Sequence, residues 1–330
     1  MSVNFIQKDN NAVQELYKRI LGDKQFTMLD IGARGGVDDV WENVKNIVHF
    51  VLFEPEEEQS IKLKNESNKN VTVIPKAIWE KTGEYPFYIT RNRSYCSMLE
   101  PNNAILEGSY YYDRNFYHID KVEKIKAYEL NTILKEYKIP EIDFIKIDIQ
   151  GAEMKIFNSL EQEQWNNIQG IISEAYAAQL YKDGATISDI LSLLYKNNLE
   201  LYDINTIAIS PLTSSCGEAL FSQNILGVRP YSGYRGRPMV YDLLLLKGRQ
   251  NFINSNDENF VRKAIFTACL FKYFDRAFDL ILWAERNKIM SRKNLLEIKQ
   301  CIKILHKKSL SFIRLIKEKI KIRSYQLKKR

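Results

Sequence analysis

Seven short apolar segments, separated by stretches of helical periodicity, constrain the fold more than any other feature of this sequence. Most are nearly continuous hydrophobic runs, as expected for strands that are covered on both faces. Alternation of such strands with helices is typical of a parallel sheet with helices on either side. We therefore predict a doubly wound α/β fold with a mostly parallel seven-stranded sheet. The predicted strands lie at 26–32, 48–55, 70–78, 142–149, 168–176, 202–209 and 240–247.

The strand pattern occupies only the middle of the chain. Before it, apolar residues at helical spacing predict one helix that ends at Gly22, and after residue 248 only helical periods follow. The stretch from Arg91 to Lys124 is expected to be a long irregular connection, a place where ligand-binding loops often occur. The predicted segments are a helical lead-in at 1–25, an α/β domain at 26–248 and a small all-α C-terminal domain at 249–330.

Basic residues are concentrated at the C-terminus. The segment from Lys303 to Arg330 has eleven Lys or Arg and one acid, whereas the whole chain has a net charge of +7, so the rest is slightly acidic. A chain-wide nucleic-acid surface is therefore not implied, and no nucleic-acid partner is expected. Apolar residues recur at helical spacing in this tail, which predicts a basic amphipathic helix. It could pack on the preceding helices, attach to an anionic membrane surface or bind another anionic polymer.

The first residues and the cysteines point to the cytoplasm. MSVNFIQKDNN lacks the basic flank and apolar core of a secretion signal. Cys96, Cys216, Cys269 and Cys301 lie far apart without a Cys-x-x-Cys pair, so free thiols are expected rather than a zinc site or disulfides. No apolar run approaches the ~20 residues that a membrane-spanning helix needs. We expect a cytoplasmic protein, with the inner membrane face as an option for the basic tail.

A glycine-rich turn follows the first predicted strand. Asp30-Ile31-Gly32-Ala33-Arg34-Gly35-Gly36 leads into a helical stretch, and glycine lets the backbone turn sharply and approach a cofactor closely. The turn lacks the Gly-x-Gly-x-x-Gly spacing, and no Gly-Lys-Ser/Thr follows, which disfavours a pyrophosphate or triphosphate ligand. Glu54 ends the second strand, 22 residues after Gly32, where a carboxylate can accept hydrogen bonds from both ribose hydroxyls. S-adenosylmethionine, a nucleoside with a cationic sulfonium, suits these acids.

Several segments, taken in order, resemble the FkbM-type S-adenosylmethionine-dependent methyltransferases over residues 28–247. LDIGARGG is similar to the family's glycine motif with Arg34 in place of the usual Asn, and FEPEEE resembles the ribose-binding strand end. PKAIWEKTGEYPFY is similar to the segment that borders the adenine, and SYCSML to the serine-containing segment. IDFIKIDIQGAEMKIFNSL resembles the most specific signature, in which an acid usually stands where this chain has Gln150. The resemblance implies cofactor contacts from Asp30, Gly32, Ala33, Gly36, Glu54, Ala77, Ile78, Ser97 and Asp148.

Three residues are candidates for removing a proton during methyl transfer. Asp148 closes the strand at 142–149 beside the first strand, where ligands bind in open α/β sheets. Glu174 ends the next strand on the same edge, and it could orient the acceptor or share a divalent metal with Asp148. His118 is the third candidate because histidine is the residue type best suited to proton removal near neutral pH, or it is an ordinary polar loop residue. Glu153 opens the next helix either as a ligand-binding residue or as a first-turn acid.

Asp148 and Glu174 alone, without a histidine ligand at fixed spacing, do not define a metal site. We therefore assign no metal ligand, although a divalent ion stays an option beside S-adenosylmethionine.

The predicted acceptor is a hydroxyl on a small molecule or glycan. All eight prolines are isolated, so the Asp/Asn-Pro-Pro-aromatic motif typical of methylation at exocyclic base nitrogens is absent. The resemblance implies O-methylation of a sugar or glycan in polysaccharide biosynthesis. An aromatic stretch would suit stacking on a sugar, and it contains Tyr110, Tyr111, Tyr112, Phe116 and Tyr117.

Two other functions remain open at this stage. The sequence departs from the family pattern at three places. Arg34 replaces the usual Asn, and an acid is missing both at Gln150 and near Asn131. These departures would also suit a non-catalytic methyltransferase-like scaffold that is tethered to a membrane or partner by its basic helical C-terminus. An NAD-dependent dehydrogenase would likewise place an acid after its second strand.

Overall fold

The computed structural model describes residues 3–108, 114–210, 237–253 and 257–327, with side chains at 11–106, 116–206, 238–252 and 257–309. Tyr110, Tyr111, Tyr112 and Cys216 lie outside the described residues.

The chain forms two compact units. A sheet unit comprises Thr27–Val37 and Phe50–Gly248, and a helical unit comprises Met1–Phe26, Asp38–His49 and Arg249–Arg330. The first helix and the segment at 38–49 thus group with the C-terminal helices, whereas the sequence predicts separate segments at 1–25, 26–248 and 249–330.

The main sheet has seven strands in the order β3-β2-β1-β7-β8-β10-β9. The pairs β2–β3, β1–β7 and β7–β8 are parallel, and β10 is antiparallel to both β8 and β9. The predicted doubly wound, mostly parallel seven-stranded sheet is confirmed. The strands of both sheets are β1 Thr27–Ile31, β2 His49–Phe53, β3 Val71–Ile74, β4 Ala77–Trp79, β5 Gly83–Thr90, β6 Ile119–Glu129, β7 Phe144–Ile147, β8 Gly170–Tyr176, β9 Leu199–Ser210 and β10 Arg237–Lys247.

A second sheet of three strands follows the order β4-β6-β5. Strand β6 is antiparallel to β5 and parallel to β4. The prediction that the chain is irregular from Arg91 to Lys124 is therefore wrong for its last part, because Ile119–Lys124 belongs to β6. In β6, residues 120–122 are exposed, so the strand carries charged residues and lacks the continuous apolar run of a fully covered strand.

The central strands are apolar because helices cover them. Every residue of β1 is buried, and Leu29, Ile145 and Ile171 from neighbouring strands share one hydrophobic cluster with residues of the covering helices. The backbone N–H of Thr27 donates to Asp143 Oδ2 at 2.8 Å, which ties the start of β1 to the start of β7. The helices of this unit are α2 Glu57–Glu66, α3 Asn103–Gly108, α4 Leu130–Glu136, α5 Glu153–Phe157, α6 Gln162–Asn167 and α7 Ile187–Lys196.

The helical unit has its own aromatic core. The rings of Phe26 and Phe266 lie 4.8 Å apart, and the rings of Trp41 and Phe271 lie 6.0 Å apart. Segment 38–49 therefore packs on the C-terminal helices through Trp41. The helices are α1 Val3–Leu21, α8 Gln250–Ile253, α9 Glu258–Leu270, α10 Phe274–Arg286 and α11 Arg292–Leu327.

The helix predicted for the basic tail is confirmed by α11, although its side chains beyond residue 309 are outside the described set. Cys96, Cys269 and Cys301 are free thiols, as predicted. Among the helices in the described ranges, none has the length and apolar character to cross a membrane.

Candidate functional site

The glycine turn after β1 passes directly over the end of β7. Gly32 has φ +94° and Gly36 has φ +76°, in the region that favours glycine. The N–H groups of Gly32 and Ala33 both donate to the carbonyl oxygen of Phe53, at 3.2 and 3.1 Å, which anchors the turn to the end of β2. A Cβ atom at Gly32 would lie 2.0 Å from the backbone oxygen of Asp148. Only glycine fits at position 32 without moving the backbone.

Asp30 and Glu54, the two acids predicted near the cofactor, differ in their surroundings. Asp30 is fully buried in β1, and its Oδ1 lies 3.2 Å from Lys146 Nζ on the neighbouring strand β7. Lys146 therefore balances the Asp30 charge within the sheet.

Glu54 follows the end of β2 and is only 5% exposed. Its Oε1 accepts a hydrogen bond from the N–H of Glu56 at 2.8 Å, and burial raises its pKa. Among the described residues, Oε2 has no hydrogen-bond partner. Arg34, one of the departures from the family pattern, pairs instead with Glu56 at 2.6 Å. Glu54 is thus a buried acceptor with an oxygen available to a hydroxyl donor.

Ala77, Ile78 and Ser97 were predicted from the resemblance to contact the cofactor. Ala77 and Ile78 lie buried in β4, which follows β3 directly. Ser97 is buried, and its hydroxyl donates to the carbonyl oxygen of Gln150 at 2.9 Å while it accepts from the N–H of Leu99 at 3.0 Å. The serine segment is therefore bonded to the turn that follows β7, and cofactor contacts from these three residues stay predictions.

The structure brings Asp148 and Glu174 together through a residue between them. Asp148 follows the end of β7, and its N–H donates to the carbonyl oxygen of Ile31 at 3.0 Å, so it lies beside the first strand as predicted. Gln150 Nε2 donates to Asp148 Oδ1 at 2.7 Å and to Glu174 Oε2 at 3.0 Å. Glu174 lies two residues before the end of β8 rather than at its end, on the same face of the strand as Tyr176. Tyr176 donates its hydroxyl to Glu174 Oε2.

Burial raises the pKa of Glu174 well above its ordinary value, and the negative charge of Asp148 raises it further. Asp242 of β10, the cross-strand neighbour of Glu174, acts in the same direction, whereas the Tyr176 hydroxyl lowers the pKa. A carboxylate with a raised pKa is a stronger proton acceptor, and therefore a better general base, than an exposed glutamate.

Glu153 is fully buried in the first turn of α5. Its Oε1 accepts from the N–H groups of Ile149 and Gly151, at 3.0 and 3.2 Å, whereas Oε2 has no hydrogen-bond partner in the described parts of the chain. Burial is the main reason that its pKa rises to about 7. Of the two roles that the sequence left open, these contacts support a structural one, because Glu153 closes the turn that contains Gln150.

We expect the Glu153→Gln variant to flatten the pH dependence of stability. Because the pKa of Glu153 rises from 4.5 to about 7 on folding, the folded state favours the protonated side chain. Its contribution is complete below about pH 4.5 and is lost as the pH rises through about 7, a loss on the order of 3 kcal/mol. Glutamine mimics the protonated form, so urea unfolding at pH 5 and pH 8 should show a smaller difference than in the wild type. An equal difference in both proteins would contradict the prediction.

Two further candidates from the sequence, His118 as a base and a divalent metal site, gain no support from the described residues. The side chain of His118 is 61% exposed, and its Nδ1 lies 3.6 Å from Asp120 Oδ1. No described contact links it to Asp148 or Glu174, so its role as a base stays a prediction without structural support. In the ranges that carry side chains, no group of three or more His, Cys, Asp or Glu could hold a metal ion.

Asn131 has a structural explanation. Its amide oxygen accepts from Gln164 Nε2 at 2.7 Å and its amide nitrogen donates to Glu161 Oε1 at 3.0 Å. Those two residues form the capping box of α6, so Asn131 joins the start of α4 to the start of α6.

Sequence reasoning did not identify Tyr176 and Tyr181 as site residues. Both hydroxyl oxygens lie within hydrogen-bond distance of Gln150 Oε1, at 3.3 and 2.9 Å. Strand alternation could have found Tyr176, because residues two apart share a face of β8. Tyr181 comes from the connection after β8, and no sequence signal places it there.

The Methyltransferase FkbM domain model matches residues 30–201, just over half of the chain. No curated protein matches the sequence.

Several solved structures are similar to this chain, with low identity and low TM-scores. Precorrin-6y C5,15-methyltransferase from Geobacter metallireducens is 10% identical over 71% of this chain and 87% of its own, with a TM-score of 0.33. An rRNA methylase from Streptococcus thermophilus is 9% identical over 72% and 95%, with a TM-score of 0.31. TrmK of M. capricolum, solved with S-adenosyl-homocysteine, is 9% identical over 89% and 97%, with a TM-score of 0.32. Similarity this low gives no information about substrates.

Proposed function

Because the chain belongs to the FkbM methyltransferase family, we propose that it transfers the methyl group of S-adenosylmethionine to a hydroxyl oxygen, with a sugar or glycan as the preferred acceptor. The observation that carries the proposal is the half-buried Glu174 carboxyl. Its pKa is raised, and it shares Gln150 with Asp148 at the carboxyl edge of the sheet. A proton acceptor at this edge suits an acceptor group that must lose a proton.

The residues around the glycine turn fit an adenosyl sulfonium cofactor. Glu54 offers a buried carboxylate oxygen to the ribose hydroxyls. The nearby cations are already engaged by acids, Arg34 by Glu56 and Lys146 by Asp30, so they do not form a phosphate cradle. When bound, S-adenosylmethionine supplies an electrophilic methyl group on a positively charged sulfur. The carboxylates at this edge favour that positive charge.

A hydroxyl oxygen is a weak nucleophile until its proton is removed. In the proposed reaction, the carboxylate of Glu174 receives the single proton of the acceptor hydroxyl, and Asp148, held beside it by Gln150, contributes negative charge toward the cationic cofactor. Alignment of the acceptor and removal of one proton are the main demands of an in-line displacement.

Aromatic side chains support the preference for a sugar. The ring of Tyr95 stacks against Tyr117 at 4.6 Å and against Phe116 at 6.1 Å. Tyr95 and Phe116 are partly exposed, so this aromatic group offers some accessible apolar surface for the C–H groups of a sugar ring. Tyr181 donates its hydroxyl to the carbonyl oxygen of Tyr95 at 3.0 Å, which connects this aromatic group to Gln150.

We expect the Glu54→Ala variant to bind S-adenosylmethionine about 10–100-fold more weakly, because two hydroxyl hydrogen bonds are lost. Isothermal titration calorimetry measures this change. Glu58→Ala is the matched control, since Glu58 is an exposed acid on α2, and its affinity should be unchanged. Equal affinity in both variants would contradict the cofactor site, and stabilisation by NAD instead would support a dehydrogenase.

The acceptor is tested with methyl-labelled S-adenosylmethionine and a panel of hydroxyl-bearing glycans, amines and RNA. We expect S-adenosylhomocysteine to form together with an alkali-stable methyl ether on a glycan. Transfer only to amines or RNA would overturn the hydroxyl assignment. Cofactor binding without transfer to any acceptor would support the scaffold instead.

A further inference from the structure

Gln150 connects the chemical groups at the carboxyl edge of the main sheet. It is only 8% exposed, and its side-chain amide lies within hydrogen-bond distance of four side chains. The nitrogen donates to Asp148 and Glu174, and the oxygen lies 3.3 and 2.9 Å from the hydroxyl oxygens of Tyr176 and Tyr181, whose single protons are shared with Glu174 and with the carbonyl oxygen of Tyr95. Both hydrogens of the amide nitrogen are therefore used.

The chemistry of the neighbours determines the orientation of this amide. A reversed amide would place its oxygen against the carboxylates of Asp148 and Glu174, so that acceptor would face acceptor. The orientation with nitrogen toward the acids gives each carboxylate a donor. A carboxylate at the same position could accept from the tyrosines, but it would repel both acids unless a proton or metal ion came between them.

The backbone at Gln150 is held in an uncommon conformation. Gln150 has φ +57° and Gly151 has φ +93°, and non-glycine residues rarely adopt the former. Ser97 donates to the carbonyl oxygen of Gln150, and Glu153 accepts the N–H groups on either side of it. This turn directs the Gln150 side chain between the acids, and the surrounding hydrogen bonds stabilise its strained backbone.

We propose that Gln150 is a positioning residue that stands where a cation would otherwise be needed, holding Asp148 and Glu174 together while adding no charge to the cluster. The proposal rests on the proposed methyl transfer to a hydroxyl, because it concerns the proton acceptor of that reaction. Gln150 acts through Glu174 and Asp148 and needs no contact with the substrate.

The charge of the cluster comes from groups on several elements. Asp148 follows β7, Glu153 lies on α5, Glu174 and Tyr176 lie on β8, and Asp242 lies on β10. Tyr181 lies after β8. The described neighbours of Glu174 that alter its protonation are acids or tyrosines, so another negative charge would have an appreciable effect.

The test compares Gln150→Glu, Gln150→Ala and the control Gln179→Glu, in which the charge is added at an exposed glutamine. For Gln150→Glu, we expect the acidic limb of the pH profile of kcat/KM to move upward by about one pH unit, because a third carboxylate disfavours ionisation of Glu174. At a pH on that limb, activity should fall about tenfold, and it should recover at higher pH. Gln150→Ala should lower activity at all pH values without moving the limb, and Gln179→Glu should match the wild type. An unmoved limb in folded Gln150→Glu would overturn the proposal.

A second measurement needs neither cofactor nor acceptor. The unfolding midpoint of Gln150→Glu in urea should fall more steeply between pH 5 and pH 8 than that of Gln179→Glu, since the folded state holds its protons more tightly. If this difference appears but no acceptor is methylated, the arrangement of the cluster is supported and the proposed reaction fails. If methylation occurs but neither pH readout changes, the proposed reaction stands and the role of Gln150 is wrong.

Discussion

The Gly32→Ala variant is expected to lose more than about 3 kcal/mol of folding stability and to bind no S-adenosylmethionine. The reason is that the turn has no space for a methyl group at position 32 unless the backbone is displaced. A Cβ atom at this position would lie 2.0 Å from the carbonyl oxygen of Asp148, which is main chain and cannot rotate away. The value of φ, +94°, adds strain for any other residue. Relief requires β1 and β7 to separate at the edge that carries the site.

Gly35→Ala is the matched control for this prediction. Gly35 lies in the same turn, but an added Cβ there would meet no atom within 4 Å, so its stability should change by no more than about 0.5 kcal/mol. Urea unfolding followed by circular dichroism measures stability, and calorimetry measures cofactor binding. If both alanine variants unfolded at the same urea concentration, close packing at Gly32 would not govern this turn.

The glycine turn could be predicted from the sequence because its signals are local. A buried strand, a run of glycines and an acid after the next strand all appear in order along the chain. Parallel strands bring their carboxyl ends to one edge, so the approach of Asp148 to β1 also follows from the strand order. Arg34, which looked like a departure from the family pattern, is explained by its ion pair with Glu56.

Strand β6 could not be predicted in the same way. Its exposed residues 120–122 interrupt any continuous apolar signal, and its pairing partner β5 contains Pro86. Its identity as a strand depends on pairing with β4 and β5, which is a tertiary contact and leaves little trace in local sequence.

The proposed role of Gln150 depends on contacts from distant parts of the chain. As a sequence position it is a departure from a family pattern, and it counted as evidence for a non-catalytic scaffold. In the structure its neighbours Glu174, Tyr176 and Tyr181 come from β8 and the connection after it, 24 to 31 residues further along the chain. The identity of one residue in the sequence does not predict contacts with residues so far along the chain. The reason that an amide fits at position 150 is therefore visible only in the folded structure.

The Glu174→Gln variant is expected to lose about 10²–10⁴-fold in kcat while it still folds and binds S-adenosylmethionine, because glutamine keeps the shape of the side chain but cannot accept the hydroxyl proton. Its amide oxygen can still accept from Tyr176 and Gln150. The pKa of Glu174 is raised in the folded state, so rising pH costs the wild type stability as this carboxyl ionises. Glutamine mimics the protonated form, and the variant should therefore be at least as stable as the wild type at pH 8.

This combination separates a catalytic role from a structural one. A structural residue loses activity together with stability, whereas the proposed base should lose activity alone. Single-turnover methyl transfer to the best glycan acceptor, calorimetry and urea unfolding at pH 8 provide the three readouts, and Glu163→Gln, at an exposed acid on α6, is the control. If Glu174→Gln kept more than about a tenth of the wild-type rate, proton removal would be assigned to Asp148, the other carboxylate held by Gln150.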